Sequence, residues 1–383
     1  MNALTSPATK NAMPCDWARA LVDPAVFAVE QARLAHVWTF LGLSRDVARE
    51  GDWFRASLAT RSVFVQRVGK ELRGFENRCA HRFYPLRHAD KGNGPIVCGF
   101  HHWRYDTDGR ALGIPLSEEA FGSVSRALDA RLTPIEVAIC GTLVFGRFPA
   151  PHASQSLEEF LGKGFPVLAA LSQMPASPLG FTRSIEANWR LSLHISLDDY
   201  HGVAVHPDSF GRGGYVHRAD ITYARFGLHN AFLNSAEPDR FATFAAACRA
   251  GTARSTCYTI LQVMPNLLLA QSRTDGNRFY CALHHYVPVS HNRTLLHMWT
   301  YPTPLAIDET WLGRLYRWAS DPVRRYLVRH RVARIICQDV VVCERLQQTA
   351  HQVDVAPMLG ALEERIAWFE EAYRGLLAIP DKP

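Results

Sequence analysis

The sequence predicts an α+β protein of two domains, and three observations carry that expectation. From about His36 to Phe148 strand-like segments alternate with Gly, Asn and Asp turns. Pro149, Pro151 and the Ser-containing residues after them read as a linker. From about residue 155 onward strand-like and helical stretches are mixed. The length of 383 residues agrees, giving two or three domains at about 100–200 residues each.

Taken in order, residues 1–36 form a helical lead-in expected to pack on the second domain, with helix from Asp16 to His36. The first domain, 37–150, should hold strands at Ser62–Val68 and Gly141–Gly146. The second, 151–383, should hold a helix near Asn188–Val205 and strands at Thr256–Val263 and Arg278–Val287. Two helices close the chain. In the last, Leu359, Leu362, Ile366, Phe369, Tyr373 and Leu376 recur at spacings of 3 and 4, an apolar stripe suited to packing on its own domain. No internal repeat is present.

Composition removes several function classes. With 48% apolar and 20% charged residues the chain can bury a large core, which excludes disorder. The net charge of +6 is spread out, with no basic block that reads as a nucleic-acid arm. It suits docking of an acidic partner protein. Nine irregularly spaced Cys argue against a disulfide framework. The first residues lack a signal-peptide core, and no apolar run approaches the roughly 18 residues of a membrane span. A soluble, cytoplasmic protein is expected, binding neither nucleic acid nor membrane.

Among the nine Cys and 17 His, spacing singles out a few. Cys79-Ala80-His81 is followed, after residues 82–97, by Cys98-Gly99-Phe100-His101. Zinc fingers usually pair like ligands within a loop. Here each loop mixes a thiolate with an imidazole. A Rieske [2Fe–2S] centre needs two Cys on one iron and two His on the other, which two such loops provide. A zinc module, or four unconnected residues, is the competing reading. With Arg82, Trp103, Tyr105, Asp106 and Gly109 around it, the pattern resembles the Rieske domain of the Rieske-type non-haem iron ring-hydroxylating oxygenases. The family usually has Gly after the second His. Here it is His102, which adjoins a ligand and removes none. His88, between the loops, reads as a surface residue.

A second constellation lies downstream. His201 and His206 form H-x₄-H, a weak signal alone, since residues five apart on a helix do not share a face. Both reach one metal only if the helix is distorted or ends between them, and Gly202 and Pro207 suit such a departure. Two imidazoles and a carboxylate on one face of Fe(II) leave positions open for O₂ and substrate. Asp339 is the candidate carboxylate, with Glu344 as the alternative. The run Asn188-Trp189-Arg190 … Asp198-Asp199-Tyr200-His201 … His206 resembles the family's iron-binding stretch. Asp339, Glu344 and Gln347 resemble its C-terminal D-x₄-E-x₂-Q helix. Asp198, three residues before His201, should share a helix face with it and accept its hydrogen bond. Asp199 adjoins it and competes for that role. The resemblance implies that Asp198 also bridges to His101 of a neighbouring subunit, a route for electrons from cluster to His101, Asp198, His201 and iron. Many relatives carry Glu-Asn where this chain has Leu193-His194, which places His194 near the iron without making it a ligand.

The remaining Cys (15, 140, 248, 257, 281, 337 and 343) show no ligand spacing and read as packing residues. In His284-His285 one ring should face inward, to line a cavity or to pack. Asn266 and Trp299 are pocket candidates by resemblance only.

The resemblance covers about residues 36–373. It implies a Rieske β-sandwich domain followed by a catalytic domain with a curved antiparallel, helix-grip-like sheet and helices. The implied cofactors are a Rieske [2Fe–2S] cluster held by Cys79, His81, Cys98 and His101, and a mononuclear Fe(II) held by His201, His206 and Asp339. NAD(P)H electrons would arrive through a separate reductase or ferredoxin, since no G-x-G-x-x-G fingerprint is present. O₂ would be used to hydroxylate or oxidatively demethylate a small organic substrate, aromatic or amine. A cis-dihydroxylating dioxygenase alpha subunit is the alternative, and a non-catalytic Rieske electron carrier is an alternative of another class. At this length the chain is similar to members that work as homotrimers.

Overall fold

The computed structural model describes residues 17–150, 155–173, 177–209, 214, 216–252, 257–274, 278–301, 310–353 and 355–378. Cys15, the first residues of the lead-in and part of the expected linker (151–154) lie outside them. The chain divides into two compact units, one of Gln31–Phe160 and one of Met1–Glu30 with Leu161–Pro383.

The lead-in is two helices rather than one, α1 (Trp17–Ala20) and α2 (Pro24–Leu34). Asp23 starts the second. Its Oδ1 accepts the Ala25 amide at 2.8 Å, and Pro24 takes the first helical position, where no amide is needed.

The 31–160 unit is built on a seven-stranded antiparallel sheet. Its strands are β1 (Thr39–Leu43), β2 (Asp52–Leu58), β3 (Arg61–Val68), β4 (Glu71–Glu76) and β5 (Lys91–Asn93), and later β9 (Pro134–Cys140) and β10 (Leu143–Arg147), in the order β1-β10-β9-β4-β3-β2-β5. Gly141, at φ +62°, and Thr142 make the tight turn from β9 to β10. A small sheet of β6 (Ile96–Val97), β7 (Arg104–Tyr105) and β8 (Ala111–Gly113) stands apart, followed by the short α3 (Ser117–Phe121). A buried cluster of Phe64, Phe75, Ile96, Trp103, Tyr105 and Leu132 joins the two sheets and encloses Cys79 and Cys98.

The 31–160 unit ends within α4 (Leu157–Leu161), and the other unit continues with α5 (Gly164–Ser172) and β11 (Leu179–Ile185). Then come α6 (Trp189–His194), α7 (Gly202–Val205), β12 (Thr222–Phe226), β13 (His229–Leu233), α8 (Arg240–Arg249), β14 (Thr259–Val263), β15 (Leu267–Thr274), β16 (Arg278–Ser290) and β17 (Arg293–Tyr301). The strands from β12 to β17 pair antiparallel in sequence order, and β11 closes the far edge beside β17. Along β17 the side chains of Thr294, Leu296, Met298 and Thr300 are buried while those between are half-exposed. That alternation marks one covered face. The helices α9 (Trp311–Ala350) and α10 (Glu364–Leu377) complete the unit. Ile366, Phe369, Tyr373 and Leu376 of the predicted stripe are buried on α10, whereas Leu359 and Leu362 precede the helix. The α+β class and the antiparallel second domain are as expected. No helix among the described residues is long and apolar enough to cross a membrane.

The single helix expected over Asn188–Val205 is not formed. After α6 the chain turns. Asp198 Oδ1 accepts the amides of Tyr200 and His201 at 2.7 and 3.1 Å, a local bond that competes with helical pairing. Only one turn, α7, then forms between the two predicted histidine ligands.

Candidate functional site

In the 31–160 unit the two Cys-His loops repeat one geometry. The Cys79 amide donates to the Tyr84 carbonyl at 2.8 Å and the Phe83 amide to the Cys79 carbonyl at 3.0 Å. In the second loop the Cys98 amide donates to Trp103 at 2.9 Å and the His102 amide to Cys98 at 3.0 Å. Each loop closes through a residue at positive φ, Phe83 at 61° and His102 at 58°. The position where relatives carry Gly therefore needs a left-handed backbone, and His is among the residues that tolerate it. Asn77 pins the first loop, its Oδ1 accepting the amides of Leu86 and Arg87 at 3.1 and 2.8 Å.

The loops bring their side chains together. Cys79 and Cys98 are both buried. The rings of His81 and His101 lie 4.8 Å apart, and Trp103 stacks on His81 at 4.9 Å. Phe121 of α3 closes edge-on over both His81 and Trp103. His81 Nδ1 is buried with no hydrogen-bond partner among the described residues. An orphaned ring nitrogen beside two buried thiols suits a group that takes lone pairs from all of them. Burial pushes the Cys79 thiol up and His81 down. The lowered His81 favours the neutral imidazole that a cluster needs, while the Cys79 thiol would give up its proton to the metal on ligation. The Tyr105 hydroxyl sits 3.0 Å from Cys79 Sγ and accepts the Ala80 amide at 3.0 Å, so its own proton is available to the sulfur when Cys79 is a thiolate. His88 is exposed, as expected.

In the other unit α7 and α9 meet at a second centre. Ligand atoms of His201, His206 and Asp339 lie within 4.8 Å of one another. Asp339 Oδ1 is 2.9 Å from His206 Nε2 and 3.6 Å from His201 Nε2, yet makes no hydrogen bond of good geometry to either. The far nitrogens explain this. His201 Nδ1 lies 2.8 Å from the Asp198 carbonyl, and His206 Nδ1 lies 2.8 Å from Gln338 Oε1. Both partners are acceptors, so each Nδ1 carries a proton and each Nε2 is left to face Asp339. A metal displacing any Nε2 proton would meet two oriented imidazole nitrogens and a carboxylate converging on one point, a donor set suited to a divalent cation. Although burial alone would lower it, the Asp198 and Asp339 carboxylates raise His201 to about 10. The two imidazoles hold the Asp339 carboxyl low despite burial. Such a negative pole attracts a cation.

Other predicted residues sort by contact. Asp198 does not share a helix face with His201. Its carbonyl takes the ring N–H, while its carboxylate stays 3.7 Å away and caps the turn. Asp199 is bound elsewhere, accepting from the Tyr223 hydroxyl at 2.7 Å and Arg365 at 3.4 Å. Glu344 Oε1 accepts the Glu186 amide at 3.1 Å and Gln347 Oε1 the Asn188 amide at 2.8 Å. The Glu and Gln after Asp339 thus tie α9 to the start of α6. His194 is buried, with Nε2 2.9 Å from Glu370 Oε1 and Trp17 stacked on its ring. Asn266 Nδ2 donates to the Tyr286 carbonyl at 2.9 Å. Two residues escaped the sequence reading. Gln338 orients His206, and its one signal is adjacency to Asp339. Glu370 holds both Arg190 and His194; it sits within the α10 stripe, four residues after Ile366.

Residues 37–129 match the Rieske [2Fe-2S] domain, and residues 157–379 the catalytic domain of ring hydroxylating alpha subunits. The anthranilate 1,2-dioxygenase large subunit of Burkholderia cepacia is 28% identical over 48% of this chain and 45% of its own length. The glycine betaine monooxygenase oxygenase subunit of Chromohalobacter salexigens is 27% identical over 49% and 42%. The matches thus span about half the length of these relatives. Among solved structures, naphthalene 1,2-dioxygenase from Rhodococcus sp. bound to indole superposes with TM-score 0.74, at 20% identity over 96% of both chains. The quaternary ammonium Rieske monooxygenase CntA with L-carnitine gives 0.69, at 16% identity over 95% of this chain and 98% of its own.

Proposed function

The chain belongs to the family of ring hydroxylating alpha subunits, and from that premise we propose that it is the oxygenase component of a Rieske non-haem iron enzyme. The observation that carries this reading is the convergence of His201 Nε2, His206 Nε2 and Asp339, with each Nδ1 tied to an acceptor. His201, His206 and Asp339 would hold Fe(II), and Cys79, His81, Cys98 and His101 the cluster. When bound, these groups supply one-electron transfer and O₂ activation.

The residues of the chain do the positioning. Gln338 and the Asp198 carbonyl hold the two imidazoles in the ligating tautomer. Glu344 and Gln347 fix the helix carrying Asp339 against the segment leading to His201. The part-exposed Asp198 carboxylate, 3.7 Å from His201 Nδ1, is the proposed link to the exposed His101 of a second copy, in a homotrimer. A separate reductase or ferredoxin would supply electrons. The substrate would be a small organic molecule, hydroxylated or oxidatively demethylated. The proposed domains are the helical lead-in at 1–36, the Rieske domain at 37–150 and the iron domain at 151–383.

The test replaces His206 or Asp339 with Ala. Substrate turnover should vanish while the visible spectrum of the cluster persists. Turnover surviving both changes refutes the assignment. Product mass then separates gain of one oxygen, gain of two oxygens with two hydrogens, and loss of a methyl group.

A further inference from the structure

The covered face of the second sheet can be read row by row from its register. Across β17, β16, β15 and β14, Thr300, Ala282, Ala270 and Ile260 stand opposite one another. The next row on the same face is Met298, His284, Leu268 and Gln262. Tyr286, two residues beyond His284, reaches the Ser196 hydroxyl at 2.7 Å, so this face turns toward the segment between α6 and His201. The Asp339 carboxylate acts on both His284 and Tyr286, which puts the metal-ligating carboxylate over the same rows.

Most of this face is apolar, and its polar groups are mostly spoken for. Gln262 Oε1 accepts from Asn230 at 2.9 Å, and Tyr286 is held by Ser196. Two polar groups are left. Thr300 Oγ1 is buried, the residue only 1% exposed, with no hydrogen-bond partner among the described residues. His284 makes no hydrogen bond to a described residue either. It is part-buried, whereas its neighbour His285 is buried. The two are diagonal neighbours on adjacent strands, about 7–8 Å apart, the distance that one polar substituent bound between them would bridge. Ala282 and Ala270, opposite Thr300 in its row, carry no polar atom that could serve its hydroxyl. A buried hydroxyl without a partner is costly unless something else satisfies it.

We propose that Thr300 and His284 form the polar end of the substrate site, and that the substrate is a neutral aromatic molecule carrying one hydrogen-bonding oxygen, such as a ketone or phenol. This rests on the oxygenase reading above and narrows its substrate class. A carboxylate is disfavoured because no Lys or Arg stands in these two rows of β14–β17. A quaternary ammonium needs a cage of rings. Trp299 and Tyr301, the aromatic residues flanking Thr300, alternate to the opposite face. Thr300 donates to the substrate oxygen, while His284 fixes the ring edge beside it.

The experiment is equilibrium binding to the iron-loaded, oxidised protein, with no reductant added. The probes are 1-indanone, its hydrocarbon counterpart indane, benzoate and phenyltrimethylammonium. Indanone should bind about five- to tenfold more tightly than indane, the worth of one neutral hydrogen bond. Thr300→Val, which keeps shape, should erase that preference, Thr300→Ser should restore it, and His284→Phe should weaken it. The proposal is overturned by equal binding of indanone and indane, by a preference that survives Thr300→Val, by tightest binding of either charged probe, or by no binding at all. Binding is read without turnover. A chain that shows the Thr300-dependent preference but incorporates no oxygen would sink the oxygenase reading and leave this site standing.

Discussion

Replacing Glu370 with Ala is expected to destabilise the catalytic unit by about 3–5 kcal/mol, the cost of removing one partner from a buried ion pair. Glu370 is 1% exposed and accepts three charge-assisted or ring N–H bonds. Two come from Arg190, through Nε at 3.0 Å and through Nη2, and one from His194 Nε2 at 2.9 Å. A carboxylate accepts only, so His194 Nε2 carries its proton. Arg190 reaches one further acid, Glu30 Oε1, at 3.1 Å. Burial alone would lower the Arg190 guanidinium, but the two acids, Glu370 first, hold it above its ordinary value. Without Glu370 a buried cation keeps one acceptor of its three. The pH dependence gives an independent figure. Burial would raise the Glu370 carboxyl, yet Arg190 and His194 bring it from an ordinary 4.5 to about 2. That difference is worth roughly 3 kcal/mol. The folded value is depressed, so this stability is present above about pH 4.5 and fades as pH falls toward 2. Glu30 runs the other way: burial pushes its carboxyl up, so it is protonated before Glu370.

The assay is denaturant unfolding of wild type, Glu370→Ala and Glu370→Ala/Arg190→Met, followed by far-ultraviolet dichroism. The visible band of the cluster monitors the other unit, because a two-unit chain need not unfold in one step. The double variant replaces the charges with apolar volume and should recover part of the loss. A single variant within about 1 kcal/mol of wild type, or a double variant no better than the single, would refute the ion-pair account. Arg190 and His194 both stand on α6, just before the turn that presents His201. Iron content per chain should therefore fall in the single variant even where it remains folded.

Three further outcomes follow from named contacts. Gln338→Leu removes the acceptor that orients His206 and should weaken mononuclear iron binding about 10- to 100-fold, read by iron titration, with the cluster spectrum unchanged; unaltered affinity would mean that Gln338 orients nothing. Tyr105→Phe deletes a hydrogen bond to Cys79 Sγ, which favours the more negative, reduced cluster. The reduction potential should fall by on the order of 50 mV in voltammetry, and a rise would reverse the assigned donor. His102→Gly relieves a left-handed backbone worth about 1–2 kcal/mol against roughly 0.5–1 kcal/mol of extra chain entropy. A net gain of about 0.5–1 kcal/mol should appear in thermal unfolding of the cluster unit, and a loss would mean that the His102 side chain contributes packing.

What could be read from sequence alone depended on how local the determining forces are. The cluster loops were legible because each is closed within six residues by its own backbone, so the spacing of Cys79, His81, Cys98 and His101 is the geometry. Asp339 lies far along the chain from His206, and only the family resemblance linked them; nothing in residue type distinguished it from Glu344. The break after His194 was missed because no Gly or Pro marks it: the first Gly after Asn188 is Gly202, and apolar residues continue through Leu197. What keeps the helix from resuming is a polar contest, in which Asp198 offers the amides of Tyr200 and His201 a local side-chain acceptor.

Glu370 is the more instructive miss, because the signal was present. It falls four residues after Ile366 and three before Tyr373, inside the apolar stripe of α10. A charged residue on a buried stripe is a demand for a partner of opposite charge, which the sequence states without naming. Arg190, in Asn188-Trp189-Arg190, makes the same demand from a helix buried on all sides. Pairing such demands across 180 residues of chain requires the topology that brings α6 under α10. Thr300 and His284 extend the reasoning one step. Their demand is met by no described side chain, and the unmet hydrogen bond points beyond the protein to what the site binds.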